Sequence, residues 1–147
     1  MLGWLGALPF TAVNTGVTLV HSTMDHPEGF GYVFDHLQAE ANFICQKTPL
    51  CFHGHTHCPM IYEKQMAGVY RIDAQNFKLP SGRKYFINVG SVGQPRDQDP
   101  RASYVLYDPL ARTIRFRRLE YDIAAAQDRI LKAGLPKRLA ERLEAGQ

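Results

Sequence analysis

The stretch "LCFHGHTHCPM", Leu50 to Met60, sets His53, His55 and His57 at every second position and brackets them with Cys51 and Cys58. Neutral imidazole is the commonest protein ligand for a metal ion, and metal sites are built from His, Cys, Asp and Glu gathered at strand ends and loops. Gly54 stands directly before His55-Thr56-His57, where a residue without a side chain removes the steric bar to a bend. On a regular strand, period two would put all three histidines on one face. A break at Gly54 would instead separate His53 from the other two, and the spacing is compatible with either arrangement.

Other residues could take part. His21 closes an apolar run, as a side chain delivered by a strand end would. Arg96 in "GQPRD" suits bidentate phosphate recognition, although a loop-fixing salt bridge with Asp97 is the commoner use of such a pair. Asn88 and Ser91 fit the task of satisfying loop backbone groups. Cys51 and Cys58 with the histidines suggest an alternative, a structural zinc module. Against it, five donors within eight residues do not converge easily on one tetrahedral ion, and no Cys-x-x-Cys pair is present.

These residues need elements to hold them. Leu2, Leu5 and Leu8 followed by Pro9 read as the last turns of a helix whose beginning lies before Met1. Phe10 to Val13 and Val17 to Val20 flank Asn14-Thr15-Gly16 as a hairpin, which carries His21 at its end. A helix is expected from Val33 to Ile44, and strands at Leu50 to Phe52, Met60 to Lys64, Val69 to Asp73 and Lys84 to Val89. The glycine-rich loop Asn88 to Ser103 leads into a strand pair, Ser103 to Tyr107 and Thr113 to Leu119. Asp122 is placed to cap a helix from Ile123 to Ala133, and Pro136 to open a last one from Lys137 to Glu144. This order suits an α/β layered domain with a mixed sheet and two C-terminal helices.

Composition narrows the function classes. A chain of 147 residues, 45% hydrophobic and 21% charged, is long enough for one domain with a core. A net charge of +3 is too mild to argue for nucleic acid, and Arg112, Arg115, Arg117 and Arg118 alternate with apolar residues as one solvated strand face would. The uncharged opening is broken by Pro9, Asn14 and Gly16, so neither a signal peptide nor a membrane span is expected. Three cysteines, Cys45, Cys51 and Cys58, form no disulfide framework and point to reduced thiols in the cytoplasm.

"GHTH", Gly54 to His57, resembles the last metal-binding motif of the calcineurin-like metallophosphoesterases. "LVHSTMDHPEGFGYVFD", Leu19 to Asp35, is similar to the family segment in which a strand ends at a metal-binding histidine. "INVGSVGQPRDQDPRASYVLYD" and "YDIAAAQDRILKAGLPKRLAERL" resemble the later loop, strand and helices of its bacterial single-domain phosphodiesterase-like branch. The resemblance implies an α/β/β/α sandwich in which His21 and His55 bind one divalent ion and His57 a second, with His53 outside the ligand set. The ions could be Mn, Fe, Co, Ni or Zn. It further implies hydrolysis of a phosphate mono- or diester, from a phosphorylated small molecule or a nucleotide, by two metals that clamp the phosphoryl group and lower a water's pKa towards about 7.

The family's earlier motifs, Asp-x-His, Gly-Asp and Gly-Asn-His, do not occur here. They would supply the bridging carboxylate, an Asn ligand and the histidine that assists the leaving group. Residues 1–147 are therefore expected to be the C-terminal portion of one such domain, with the catalytic groups upstream of Met1 and the chain alone inactive. A non-catalytic fragment or pseudoenzyme scaffold is the other expectation, and either would self-associate through uncovered sheet surface.

Overall fold

A computed structural model describes residues 2–147 of the chain. A short helix α1 (Leu2–Gly6) precedes the hairpin β1 (Thr11–Asn14) and β2 (Val17–Val20), which turns through Thr15 and Gly16, both at positive φ. Met1, and whatever the helical reading placed before it, lies outside the described residues.

After a 3-10 turn at Pro27–Gly29 comes α2 (His36–Cys45), three residues shorter at its start than the apolar spacing predicts. The reason is a capping box. Asp35 accepts from the Gln38 backbone N–H at 2.8 Å, and the Gln38 side chain returns to the Asp35 N–H at 3.3 Å. Val33, which the periodicity assigned to the helix, lies before it outside any helix or strand and is buried in the core.

The chain continues as β3 (Leu50–His53), β4 (Met60–Gln65), β5 (Gly68–Asp73), a two-residue β6 (Phe77–Lys78), β7 (Lys84–Asn88), β8 (Ala102–Asp108) and β9 (Thr113–Leu119). Two helices follow, α3 (Ile123–Lys132), capped by Asp122 through the Ala125 N–H, and α4 (Lys137–Ala145). Six strands form one mixed sheet in the order β1-β2-β3-β7-β4-β5, and three form a second in the order β6-β9-β8. The central pairs β2/β3 and β3/β7 are parallel, whereas β4 runs antiparallel to β7.

Strand alternation divides the core into two layers. Cys51, Tyr62 and Phe86 face α2, where they pack with Val20, Val33, Ala39 and Phe43. Leu50, Ile61, Tyr85 and Ile87 point the other way, onto Ile114 and the flank of the second sheet. Strands buried on both faces lose the polar alternation of a surface strand, which is why residues 50–52 of β3, 60–62 of β4 and 85–87 of β7 read as short continuous apolar runs. The one charged group deep among them, Glu63 on β4, accepts from Tyr85 Oη at 2.6 Å and from Arg83 at 2.7 Å.

This arrangement matters because β2, β3 and β7 all deliver their C-terminal ends to one edge. His21, the histidine loop and the Asn88 loop therefore meet there.

Candidate metal centre

Four histidines reach this edge, and the backbone sorts them. His53 completes β3 and keeps the strand's alternation, so its ring lies on the α2 side, stacked on Phe86 with centroids 3.9 Å apart and an interplanar angle of 11°. Burial, with a smaller contribution from nearby His21 and against a hydrogen bond to the Gly54 backbone, pushes its pKa down to about 3. It is a neutral core residue.

Past Gly54 the strand breaks. His55 and His57 both adopt left-handed backbone conformations, with φ of 65° and 61°, so they do not lie on a continuous strand with His53. Three sets of hydrogen bonds hold this unfavourable loop. The Gly54 N–H donates to the His21 carbonyl at 3.0 Å, tying the two histidine-bearing strand ends together. The Thr56 N–H donates to the Gly54 carbonyl at 2.8 Å. Asn88 then clamps the turn from β7, its amide donating to the Gly54 carbonyl at 2.7 Å and to Thr56 Oγ1 at 2.6 Å, while its oxygen accepts from the Gly90 N–H at 2.9 Å.

The result brings His21 Nε2 within 3.1 Å of His55 Nδ1. Two imidazole nitrogens each about 2.0–2.1 Å from one ion, at bond angles of about 90–109°, lie about 2.8–3.4 Å apart. The pair fits two corners of a shared ligand set. His57 stands apart from this pair, with its Nδ1 donating to the Gln94 carbonyl at 2.7 Å. A carbonyl can only accept, so the proton sits on Nδ1 and the Nε2 lone pair is presented outward, the usual outer-shell arrangement for a metal-binding histidine. Burial is the main cause that lowers the pKa of both His55 and His57, with nearby His21 and Arg96 adding to it. The shift favours the neutral ring, the form that binds metal.

Arg96 lies at the same loop, its backbone N–H donating to the His57 carbonyl at 3.2 Å and its Nη2 to Gln94 Oε1 at 3.0 Å. The expected bridge to Asp97 does not form, because Asp97 pairs instead with Arg118 on β9, whose guanidinium is held across the loop. Among the described residues Arg96 has no carboxylate partner, and its buried Nε has no hydrogen-bond partner.

The donor set is incomplete. Among the described residues no three His, Cys, Asp or Glu side chains converge on one point. The thiols do not join the histidines either. Cys51 faces the α2 core, where burial raises its pKa to about 12, and Cys58 Sγ lies against the Thr56 and Arg96 carbonyls at 3.5 and 3.3 Å. What the fold presents is one close pair of imidazole nitrogens, from His21 and His55, and the separate His57 ring oriented by the Gln94 carbonyl. Gln94 escaped the sequence reading because it acts through its main chain. Asn88 and Ser91 do bond loop backbone groups, Ser91 Oγ accepting from the Gly93 and Gln94 N–H groups at 3.1 and 2.9 Å.

The molecule is an α/β protein with a mixed sheet whose histidines gather where β2, β3 and β7 end. More particularly, residues 6–111 match the model of the calcineurin-like phosphoesterase superfamily domain, and the chain belongs to that family. It is 37% identical over 132 residues to an uncharacterized protein of Methanocaldococcus jannaschii, an alignment covering 89% of this chain and 52% of that one. The crystal structure of a metallophosphoesterase from Sphaerobacter thermophilus superimposes with a TM-score of 0.88 at 40% identity, covering 99% of this chain and 61% of that one. A hypothetical protein from Pyrococcus horikoshii shares the fold, with a TM-score of 0.70 at 19% identity over 99% of this chain and 54% of its own. The chain thus spans about half to three fifths of the length of these relatives. Among the described residues no helix is long and apolar enough to cross a membrane.

Proposed function

We propose that this chain carries the histidine-rich half of a dinuclear metallophosphoesterase site. The observation that carries the reading is the 3.1 Å approach of His21 Nε2 to His55 Nδ1 beside a His57 whose proton is fixed on the far nitrogen. His21 and His55 would hold one divalent transition-metal ion, and His57 would contribute to a second. Such a pair of ions, when bound, clamps a phosphoryl group and makes hydroxide available near neutral pH. Around it the chain's own residues have defined tasks. Asn88 keeps both ligand histidines in their unusual conformation, the Gln94 carbonyl orients His57, and Arg96, which has no carboxylate partner among the described residues, would offer its guanidinium to a phosphoryl oxygen.

Two nitrogens and one nitrogen do not complete two coordination shells, and among the described residues no carboxylate joins the histidines to offset the repulsion of two dications. The remaining ligands and the group that protonates the leaving oxygen would come from a preceding segment, making residues 1–147 the C-terminal part of a single domain. Three free cysteines fit a reducing compartment such as the cytoplasm.

The test is metal content and hydrolysis of an aryl phosphodiester in Mn(II) buffer. The chain alone, the chain extended upstream with the family's earlier motifs, and the His57→Ala version of each are compared. Turnover is expected only with the extension, and His57→Ala should abolish it. Hydrolysis that survives that substitution would overturn the assignment.

A further inference from the structure

Next to the histidines lies a surface that metal binding does not require. Residues 30–34 read Phe-Gly-Tyr-Val-Phe, and Val33 is buried at 4% exposure while Phe30, Tyr32 and Phe34 stand outside at 47%, 45% and 55%. An alternating segment ordinarily buries its large rings and exposes its polar side chains. Here one aliphatic residue points in and three rings point out.

The rings form a row. Tyr32 and Phe34 lie parallel, with centroids 5.5 Å apart and 6° between their planes. Tyr32 sits 4.3 Å from the His55 ring, and Phe30 is 5.9 Å from both His21 and His55. Phe10, itself half exposed, extends the row with an edge-on contact to Phe30 at 5.9 Å.

Backbone conformation singles out Phe30 independently. It lies between Gly29 and Gly31, yet it is the phenylalanine that takes the left-handed conformation, at φ 50° and ψ 43°. Glycine adopts that conformation freely and a bulky side chain resists it. Strain of this sort gathers at ligand-binding sites, where a side chain is kept for its contacts.

We propose that Phe30, Tyr32 and Phe34 are a stacking platform for the base of a nucleotide, so that the substrate of this site is a nucleotide phosphoester. The proposal rests on the reading that the phosphoryl group lies at the histidines. A nucleotide has the shape this edge complements, with an anionic phosphate for Arg96 and the metals at one end and a flat ring for the aromatic row at the other. Every nucleobase has a face that can stack, and such stacking needs no hydrogen-bond readout. An alkyl phosphate or a phosphoserine would leave the three rings in water.

The test is calorimetric binding to the protein extended upstream with the family's earlier motifs, in Mn(II) buffer, with adenosine monophosphate, ribose 5-phosphate and phenyl phosphate as probes. The nucleotide is expected to bind about tenfold more tightly than ribose 5-phosphate. Phe34→Leu should remove most of that preference and leave ribose 5-phosphate unchanged, while Tyr32→Phe keeps it. Equal affinity for nucleotide and sugar phosphate, or a Leu variant that weakens both alike, would overturn the platform. Phenyl phosphate that binds as tightly as the nucleotide would overturn the choice of a nucleobase. Failure of the underlying reading looks different: His55→Ala would then leave ribose 5-phosphate binding intact.

Discussion

Replacing Asn88 with alanine should unlock the histidine loop. The side chain is 1% exposed and makes three hydrogen bonds, to the Gly54 carbonyl, to Thr56 Oγ1 and from the Gly90 N–H. The Gly54 carbonyl keeps its bond from the Thr56 N–H, so one of the three partners is not stranded. At about 1 kcal/mol net for each bond, with a further penalty of about 1–3 kcal/mol for the Gly90 N–H left buried without a partner, the loss is about 4–6 kcal/mol. For a chain of this size that lowers Tm by roughly 8–24 °C. The same change releases His55 and His57 from their left-handed conformations, and loss of an outer-shell partner typically weakens metal binding about 10–100-fold. Urea unfolding followed by circular dichroism reads the first effect, and competition with a chromophoric chelator for Zn(II) reads the second. A stability loss below about 1 kcal/mol, or full destabilisation with metal affinity unchanged, would refute the role of Asn88 as the clamp.

Further outcomes follow from the same geometry. His53 has a folded pKa of about 3 against an ordinary value near 6.5, so the neutral ring's contribution is complete above pH 6.5 and is lost as the pH falls towards 3. Between pH 7 and pH 5 that amounts to about 2 kcal/mol, and His53→Phe should flatten the stability profile by this amount; equal unfolding free energies from urea titrations of the parent protein at the two pH values would contradict it. We also propose that the free edge of β8, with Tyr104 37% and Leu106 49% exposed, supports self-association. Leu106→Lys should then shift sedimentation towards the monomer, and identical profiles for the two proteins would exclude this edge.

Much of this molecule was legible as sequence because its signals are local. The β4 and β5 runs, the Asp122 cap and the turn at Thr15-Gly16 each depend on neighbours in the chain, and each element appears where composition and periodicity put it. The start of α2 was equally legible, since Asp35-x-x-Gln38 spells a capping box, but the apolar spacing of Val33 masked it. Other features are not local at all. Arg96 and Asp97 are adjacent and oppositely charged, yet Asp97 takes its partner from β9, 21 residues away. Period two could not decide among His53, His55 and His57 because the choice lies in two positive φ angles, which hydrogen bonds from β7 make tolerable. The insertion of β7 between β3 and β4 likewise depends on the core, where Phe86 and Ile87 must each find a different layer.

His55, His57 and Phe30 occupy backbone angles that glycine or asparagine would accept more readily. Each therefore lowers stability by roughly 1 kcal/mol or more, in a protein whose whole margin is of the order of 5–15 kcal/mol. Selection for thermal resistance without selection for activity should replace these three residues early, and Gly and Asn should be the replacements that survive. A variant library sorted only by proteolysis would then outline this edge of the molecule as the positions where the parent residue is enriched least.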